Sequence, residues 1–173
     1  MLIRKAVKED AKEIININHK TWRIAYRGIV SQEFMDKRDK KINDKITKMS
    51  KQIKNNQVNI LVAEEDEKVI GFVSYGKSRE NRYESEVYAI YVLKEYQKRG
   101  VGKKLIKKVI ENLIKENYSN IIIWCLKDNK YKKFYEEVGG QPRENKVLKI
   151  GNKQLDTIGY GFYNLNKVME KLG

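Results

Sequence analysis

Gln97-Lys98-Arg99-Gly100-Val101-Gly102 is the stretch of this chain with the clearest chemical meaning. It follows a β-branched and aromatic run, Val87-Tyr88-Ala89-Ile90-Tyr91-Val92, and precedes a lysine-studded amphipathic stretch from Lys103 to Glu116. A strand, a tight glycine turn and a helix N-terminus together make an anion site. Glycine lets a ligand approach the backbone, and first-turn N–H groups have no intrahelical partner. Lys98, Arg99 and Lys103 place full positive charges around the same turn. A pyrophosphate suits it. A Walker loop is excluded, because Gln97 stands at the first glycine position and Lys104 replaces the hydroxyl residue. Leu105 in place of a third glycine excludes a dinucleotide fingerprint.

What remains, Gln-x-x-Gly-x-Gly after a strand, resembles the acetyl-CoA pyrophosphate loop of the GNAT superfamily of N-acetyltransferases. Other segments agree in order. Ile3-Arg4-Lys5-Ala6-Val7-Lys8-Glu9-Asp10-Ala11 is similar to the family's first strand running into its first helix, and Gly71-Phe72-Val73 to a step on its third strand. Phe134-Tyr135-Glu136-Glu137-Val138-Gly139-Gly140 resembles its Phe-Tyr-Glu-x-x-Gly element. Thr21-Trp22-Arg23 with Tyr26-Arg27-Gly28-Ile29 is similar to a signature of one bacterial branch. So is Ile150-Gly151-Asn152 with Gly159-Tyr160-Gly161-Phe162.

The resemblance implies an N-acetyltransferase with acetyl-CoA as co-substrate and no metal, moving the acetyl group directly to a primary amine. The loop from Gln97 to Lys103 would hold the pyrophosphate, and backbone groups of Ile90, Tyr91 and Val92 the pantetheine and the thioester carbonyl. An alkyl amine is mostly protonated at pH 7, so one group must take its proton and another must supply one to the leaving thiolate. Glu86, eleven residues before Gln97, occupies the register of the base carboxylate in the family's histone-acetylating branch. Tyr135 matches the tyrosine that reaches the CoA sulfur. As plain structure, Glu86 would solvate a strand end and Tyr135 would be a core aromatic. Asn129 resembles the asparagine that contacts pantetheine and equally suits the N-cap of the following helix. The pattern departs from the family at Lys94, where proline is common, and at Thr157, where an acid is frequent. The interval from Asn129 to Phe134 is also short, so Asp128 could take the pantetheine position.

Periodicity predicts the elements that must position these residues. Strands are expected at 2–6, 58–64, 69–77, 85–93, 121–126, 145–150 and 154–164, and helices at 9–27, 32–54, 101–117 and 129–138, with a short one in the tail. The 32–54 segment reads as polar on most faces, hence exposed and mobile. Strand 85–93, helix 101–117 and strand 121–126 imply a parallel pair joined by a right-handed crossover. The expectation is an α/β fold with a mixed central sheet and helices on both faces. The resemblance makes that sheet mainly antiparallel with one parallel strand pair.

Composition bounds the rest. A chain of 173 residues is read as a single domain over 1–173, able to bury a core without metals or disulfides. One cysteine excludes an internal disulfide, and no apolar run nears the ~20 residues of a membrane span, so a cytoplasmic protein is expected. Cys125 within an apolar run reads as a buried, inert thiol, and His19 has no partner at metal-ligand spacing. Trp22, Tyr26 and Tyr88 either wall an acceptor pocket or belong to the core. The net charge of +14 favours anionic coenzyme A and disfavours a polycation such as spermine. The charge also leaves open a nucleic-acid-binding protein working through Lys103, Lys104, Lys107 and Lys108, with tRNA as one partner. A third reading is a CoA-binding module without transfer activity. The acceptor could be a polyamine, an aminoglycoside, an amino acid, a peptide terminus or an aminoacyl-tRNA, and a homodimer is compatible with all of these.

Overall fold

The computed structural model describes residues 1–173. In chain order it contains β1 (Leu2–Lys5), a 3-10 turn at Lys8–Asp10, α1 (Ala11–Ala25), α2 (Gln32–Asp39), α3 (Ile42–Lys54), β2 (Asn59–Glu65) and β3 (Lys68–Lys77). After these come β4 (Ser85–Val92), a 3-10 turn at Lys94–Tyr96, α4 (Val101–Lys115), β5 (Asn120–Leu126), α5 (Lys133–Glu137), β6 (Gln141–Ile150), β7 (Lys153–Tyr163) and α6 (Leu165–Leu172). The strands form one seven-stranded sheet in the order β1-β2-β3-β4-β5-β7-β6, flanked by helices. Its parallel pair is β4 with β5, where Ser85, Glu86 and Val87 face Ile121, Ile122 and Ile123. The mixed, mainly antiparallel α/β fold with one parallel pair is therefore the observed one. No helix is long and apolar enough to cross a membrane.

Two compact units divide the chain: Met1–Ser74 with Ala89–Leu105, and Tyr75–Tyr88 with Ile106–Gly173. In the first, one face of α1 (Ala11, Ile14, Ile17) packs with Ile60 and Val62 of β2, Val69 and Phe72 of β3, and Ile53 of α3. The expectation for 32–54 is corrected here. The segment breaks at Lys40-Lys41 into two helices, and α3 carries Ile42, Ile46, Met49 and Ile53 at helical spacing. Ile53 is buried and Ile46 and Met49 pack on the core, so α3 is an amphipathic element of the fold rather than an exposed one. β2 turns into β3 through Asp66 and Glu67, both left-handed at φ 50° and 61°. That pair of positive angles matches the right-handed twist of a two-residue hairpin. Nearby, Arg4 bonds Asp10 through two nitrogens at 2.7 and 3.0 Å and Glu64 through Nε at 2.8 Å, tying β1 to β2 and to the start of α1. Burial alone would raise the Asp10 carboxyl, but Arg4 and the Val7 N–H hold it below its ordinary value.

In the second unit the buried residues include Ile106, Val109, Ile110 and Leu113 of α4, Ile121 to Ile123 of β5, Tyr160 and Phe162 of β7, and Leu165, Val168 and Leu172 of α6. Two boundaries differ from expectation. The helix predicted at 129–138 is regular only over Lys133–Glu137, because the Asn129 side chain accepts the Tyr131 N–H at 2.9 Å and makes a side-chain turn in place of a helical one. Strand β6 starts at Gln141 rather than 145, with a register shift between Pro142 and Glu144. Proline is tolerated there because β6 is the edge strand and needs no donor on its open side.

Candidate functional site

The Gln97–Gly102 segment is built as its composition requires. Gln97 does not point its amide outward; Nε2 donates to the Val92 carbonyl at 3.0 Å and braces the chain as it leaves β4. Lys98 adopts a left-handed conformation (φ 60°) and Gly100 another (φ 79°). These two angles fold the backbone tightly enough that Gly100 becomes the residue preceding α4. Its carbonyl accepts the Lys104 N–H at 3.0 Å, the first bond of that helix. Val101, Gly102 and Lys103 thus form the first turn of α4, whose N–H groups carry the helix's partial positive charge. Val101 is buried and anchors the turn, while Lys98 and Lys103 are exposed. Arg99 stands over the Tyr96 ring at 5.1 Å and pairs with Glu65 at 3.0 Å, so its charge is partly offset. The arrangement can bind a phosphate-like anion through backbone and lysine.

Ile90, Tyr91 and Val92, on the strand that enters this turn, are half-buried. Gly71 lets β3 approach them, since a Cβ there would meet the Tyr91 carbonyl at 3.0 Å and a Val92 methyl at 3.1 Å. That contact is the physical content of the Gly-Phe-Val step seen in the sequence.

Glu86 lies in the second unit and is buried, with 1% of its surface exposed. It does not solvate a strand end. Arg79 closes on it as a fork: Nε donates to Oε2 at 3.1 Å, Nη2 donates to Oε1, and the Arg79 backbone N–H donates to Oε2 at 3.2 Å. The Arg79 side chain is itself 69% exposed and stacks over Tyr88 at 5.1 Å. Sequence reasoning missed Arg79. Its offset of seven residues from Glu86 across an irregular loop carries no periodic signal.

Tyr135 and Asn129 come together around Cys125. Tyr135, on α5, stacks on Tyr160 with centroids 5.3 Å apart and meets Phe134 edge-on at 5.4 Å. Both the Tyr135 and the Asn129 side chain act on the Cys125 thiol, each in the direction that lowers it. Asn129 is 6% exposed and does not cap α5, whose N-cap is Lys132. The helix ends as the glycine pair predicted: Gly139 is left-handed (φ 96°), its N–H reaches the Glu136 carbonyl at 3.0 Å, and the Gly140 N–H reaches that of Tyr135 at 2.8 Å. A Cβ on Gly140 would lie 2.8 Å from the Phe162 ring, so the second glycine is needed for packing.

Burial pushes the Cys125 thiol up to about 12, with smaller opposing effects from Tyr135, Lys132 and Asn129. At pH 8 the thiolate is then about one part in ten thousand of the total. Cys125 in the folded protein should resist iodoacetamide at pH 8 and label fully in denaturant. Fast, stoichiometric labelling of the folded protein would contradict the thiol's burial.

Asn18, His19, Trp22 and Arg23 of α1 meet α2 in the first unit. His19 and Arg23 both pair with Asp39, and Trp22 packs against Tyr26 at 4.4 Å and Phe34 at 6.0 Å. His19 thus shares the Asp39 carboxylate with Arg23. Thr157 is buried and donates its hydroxyl to the Lys146 carbonyl at 2.7 Å.

Comparison with known proteins places these features in a family. Residues 11–139 match the Acetyltransferase (GNAT) family. The chain is 29% identical over 168 residues to the uncharacterized N-acetyltransferase YuaI of Bacillus subtilis, covering 95% of this chain and 94% of that protein. Among solved structures, the PaiA N-acetyltransferase of Thermoplasma acidophilum in complex with coenzyme A superposes with a TM-score of 0.74 at 21% identity, over 94% of this chain and 98% of that one. YncA of Salmonella typhimurium, solved with acetyl-CoA, superposes with a TM-score of 0.68 at 19% identity, over 94% and 93% of the two chains.

Proposed function

The chain belongs to the GNAT family and is an acetyltransferase, and from that premise we propose that it moves the acetyl group of acetyl-CoA directly to a primary amine, as a cytoplasmic single-domain enzyme. The observation that supports this most is the turn at 97–100, whose two left-handed residues deliver the first turn of α4 as an anion cradle. That two structural neighbours were solved with coenzyme A or acetyl-CoA supports reading the pyrophosphate of that molecule as the anion this cradle takes. In this reading Gly100 to Lys103 hold the pyrophosphate, with Lys98 and Arg99 adding charge. Gln97 keeps the turn in shape. Backbone groups of Ile90 to Val92 bind pantetheine and polarise the thioester carbonyl, and Asn129 contacts the pantetheine arm.

Glu86 is assigned as the base. The Arg79 fork covers both Glu86 oxygens, so an amine reaches the carboxylate only once the exposed Arg79 side chain swings aside. An incoming alkylammonium is the natural replacement, one cation exchanged for another at the same carboxylate. Glu86 then takes the proton, directly or through one water, and the neutral amine attacks the thioester carbon. The tetrahedral intermediate collapses with cleavage of the C–S bond; Tyr135 supplies the proton that leaves with CoA as its thiol and regains one from the nitrogen as the neutral amide forms, while Glu86 returns its proton to solvent.

A broad panel of amines assayed for release of the CoA thiol tests the reading. The expected result is amine-dependent release with a subset of primary amines and none with their N-acetylated forms. Binding of acetyl-CoA without release for any amine would leave a CoA-binding module in place of an enzyme.

A further inference from the structure

A half-buried guanidinium in the first unit is paired with no carboxylate. Arg38, near the end of α2, sits over the Trp22 ring with its central carbon 4.2 Å from the centroid. Its Nη2 donates to Asn18 Oδ1 at 3.0 Å. Asp39, the adjacent acid, is already engaged on both oxygens, by His19 through Oδ1 and by Arg23 through Oδ2. A second cation stands alongside: Lys45 of α3, also half-buried, donates to the Arg38 backbone carbonyl at 3.3 Å. Burial lowers Arg38 from its ordinary value against smaller raising effects of Tyr91, Asp39 and Tyr26, and burial followed by the Arg38 charge lowers Lys45, with Asp39 opposing. Two cations withdrawn from water without a bonded acid carry a standing desolvation and repulsion cost. An anion would relieve both.

The surroundings indicate which anion. A guanidinium has five N–H donors in a planar fork, and one bond to Asn18 leaves most of that fork for a planar partner, which a carboxylate matches with two parallel hydrogen bonds. Trp22 of α1, Tyr26 just past its end and Phe34 of α2 cluster together, giving an apolar wall beside the charge. Tyr26, packed on Trp22 at 4.4 Å, and Tyr91, packed on Phe72 at 5.8 Å, both act to raise the Arg38 guanidinium against its burial. Tyr91 is flanked by Ile90 and Val92, the backbone assigned above to the thioester.

We propose that Arg38, with Lys45 beside it, is the subsite that binds a carboxylate on the acceptor, which makes the acceptor a carboxylate-bearing primary amine rather than a polyamine. This rests on the acetyl-transfer reading above and narrows it to amino acids and peptides with a free carboxylate. The net charge of +14 acts in the same direction, repelling a polycation and tolerating a zwitterion.

Matched acceptors that share an amine and differ only in carboxylate against carboxamide provide the test, with thiol release as the readout. The wild type should favour the carboxylate by roughly ten- to a hundredfold in kcat/KM, the usual size of a charge-assisted pair of bonds. Arg38→Ala and Arg38→Lys should each raise KM for the carboxylate member by about tenfold or more, with kcat, acetyl-CoA affinity and turnover of the carboxamide little changed. Arg38→Lys keeps the charge and loses the fork, so it decides the matter if the alanine variant does not fold. Equal use of both acceptors by the wild type, or parallel losses on both in Arg38→Lys, overturns the proposal. If no amine is acetylated although acetyl-CoA binds, the parent reading fails by itself. The subsite is then judged by titrating N-acetyl amino acids and their amides into the CoA-loaded protein, where equal affinities reject it and an Arg38-dependent preference for the acids supports it.

Discussion

Gly102→Asp abolishes acetyl-CoA binding and leaves the protein folded. Gly102 lies in the first turn of α4, where an aspartate is favourable to the helix itself because its charge opposes the N-terminal partial charge. The backbone there is helical, so an L-residue meets no penalty of the kind that the left-handed Gly100 would impose. The substitution therefore separates binding from stability. A carboxylate within about 4 Å of a pyrophosphate in a partly shielded site costs roughly 4 kcal/mol, close to a thousandfold in affinity. Isothermal titration of wild type and variant, with unfolding midpoints measured in parallel, reads both quantities. Equal affinity in a folded Gly102→Asp would place the cofactor away from the 97–103 turn.

The glycine turn was legible because its constraints are local. A tight glycine turn, an exposed helix start and flanking cations all follow from a few consecutive residues, and the left-handed Gly100 realises that turn, whereas the left-handed Lys98 has no such signal. The Gly139-Gly140 helix stop was legible for the same reason. What escaped reading were interactions whose partners are remote or irregular in sequence. Arg79 reaches Glu86 across a loop, and the aromatic bed of Arg38 comes from Trp22, sixteen residues earlier on another helix. The 32–54 segment was misjudged because its lysines outnumber its apolar residues. A stripe of four apolar positions, Ile42, Ile46, Met49 and Ile53, suffices to bury one side of a short helix once a sheet is there to receive it. Asn129 was given a helix cap when its side chain favoured a tighter turn, a competition that sequence alone leaves undecided.

Tyr135→Phe lowers kcat by about 10²- to 10⁴-fold, the range for loss of a positioned proton donor. The ring would keep its place, because its stack on Tyr160 and its edge contact with Phe134 use the aromatic faces, which phenylalanine also has. Stability should therefore change by less than about 1 kcal/mol, and KM for acetyl-CoA should stay near its wild-type value. One structural alternative is specific enough to test alongside. The Tyr135 side chain interacts with the Cys125 thiol, so a fall in turnover could come from disturbing that buried group rather than from losing a donor to the leaving thiolate. Cys125→Ala separates the two. It removes the thiol and leaves the tyrosine hydroxyl, and turnover should remain within a few-fold of wild type, since a thiol with its pKa pushed up to about 12 has no part in the transfer. A Cys125→Ala variant as slow as Tyr135→Phe would make the pair a packing unit. Unchanged turnover in Tyr135→Phe, with acetyl transfer shown by single-turnover kinetics to limit the rate, would leave Tyr135 a structural aromatic and send the search for the proton donor to bound water.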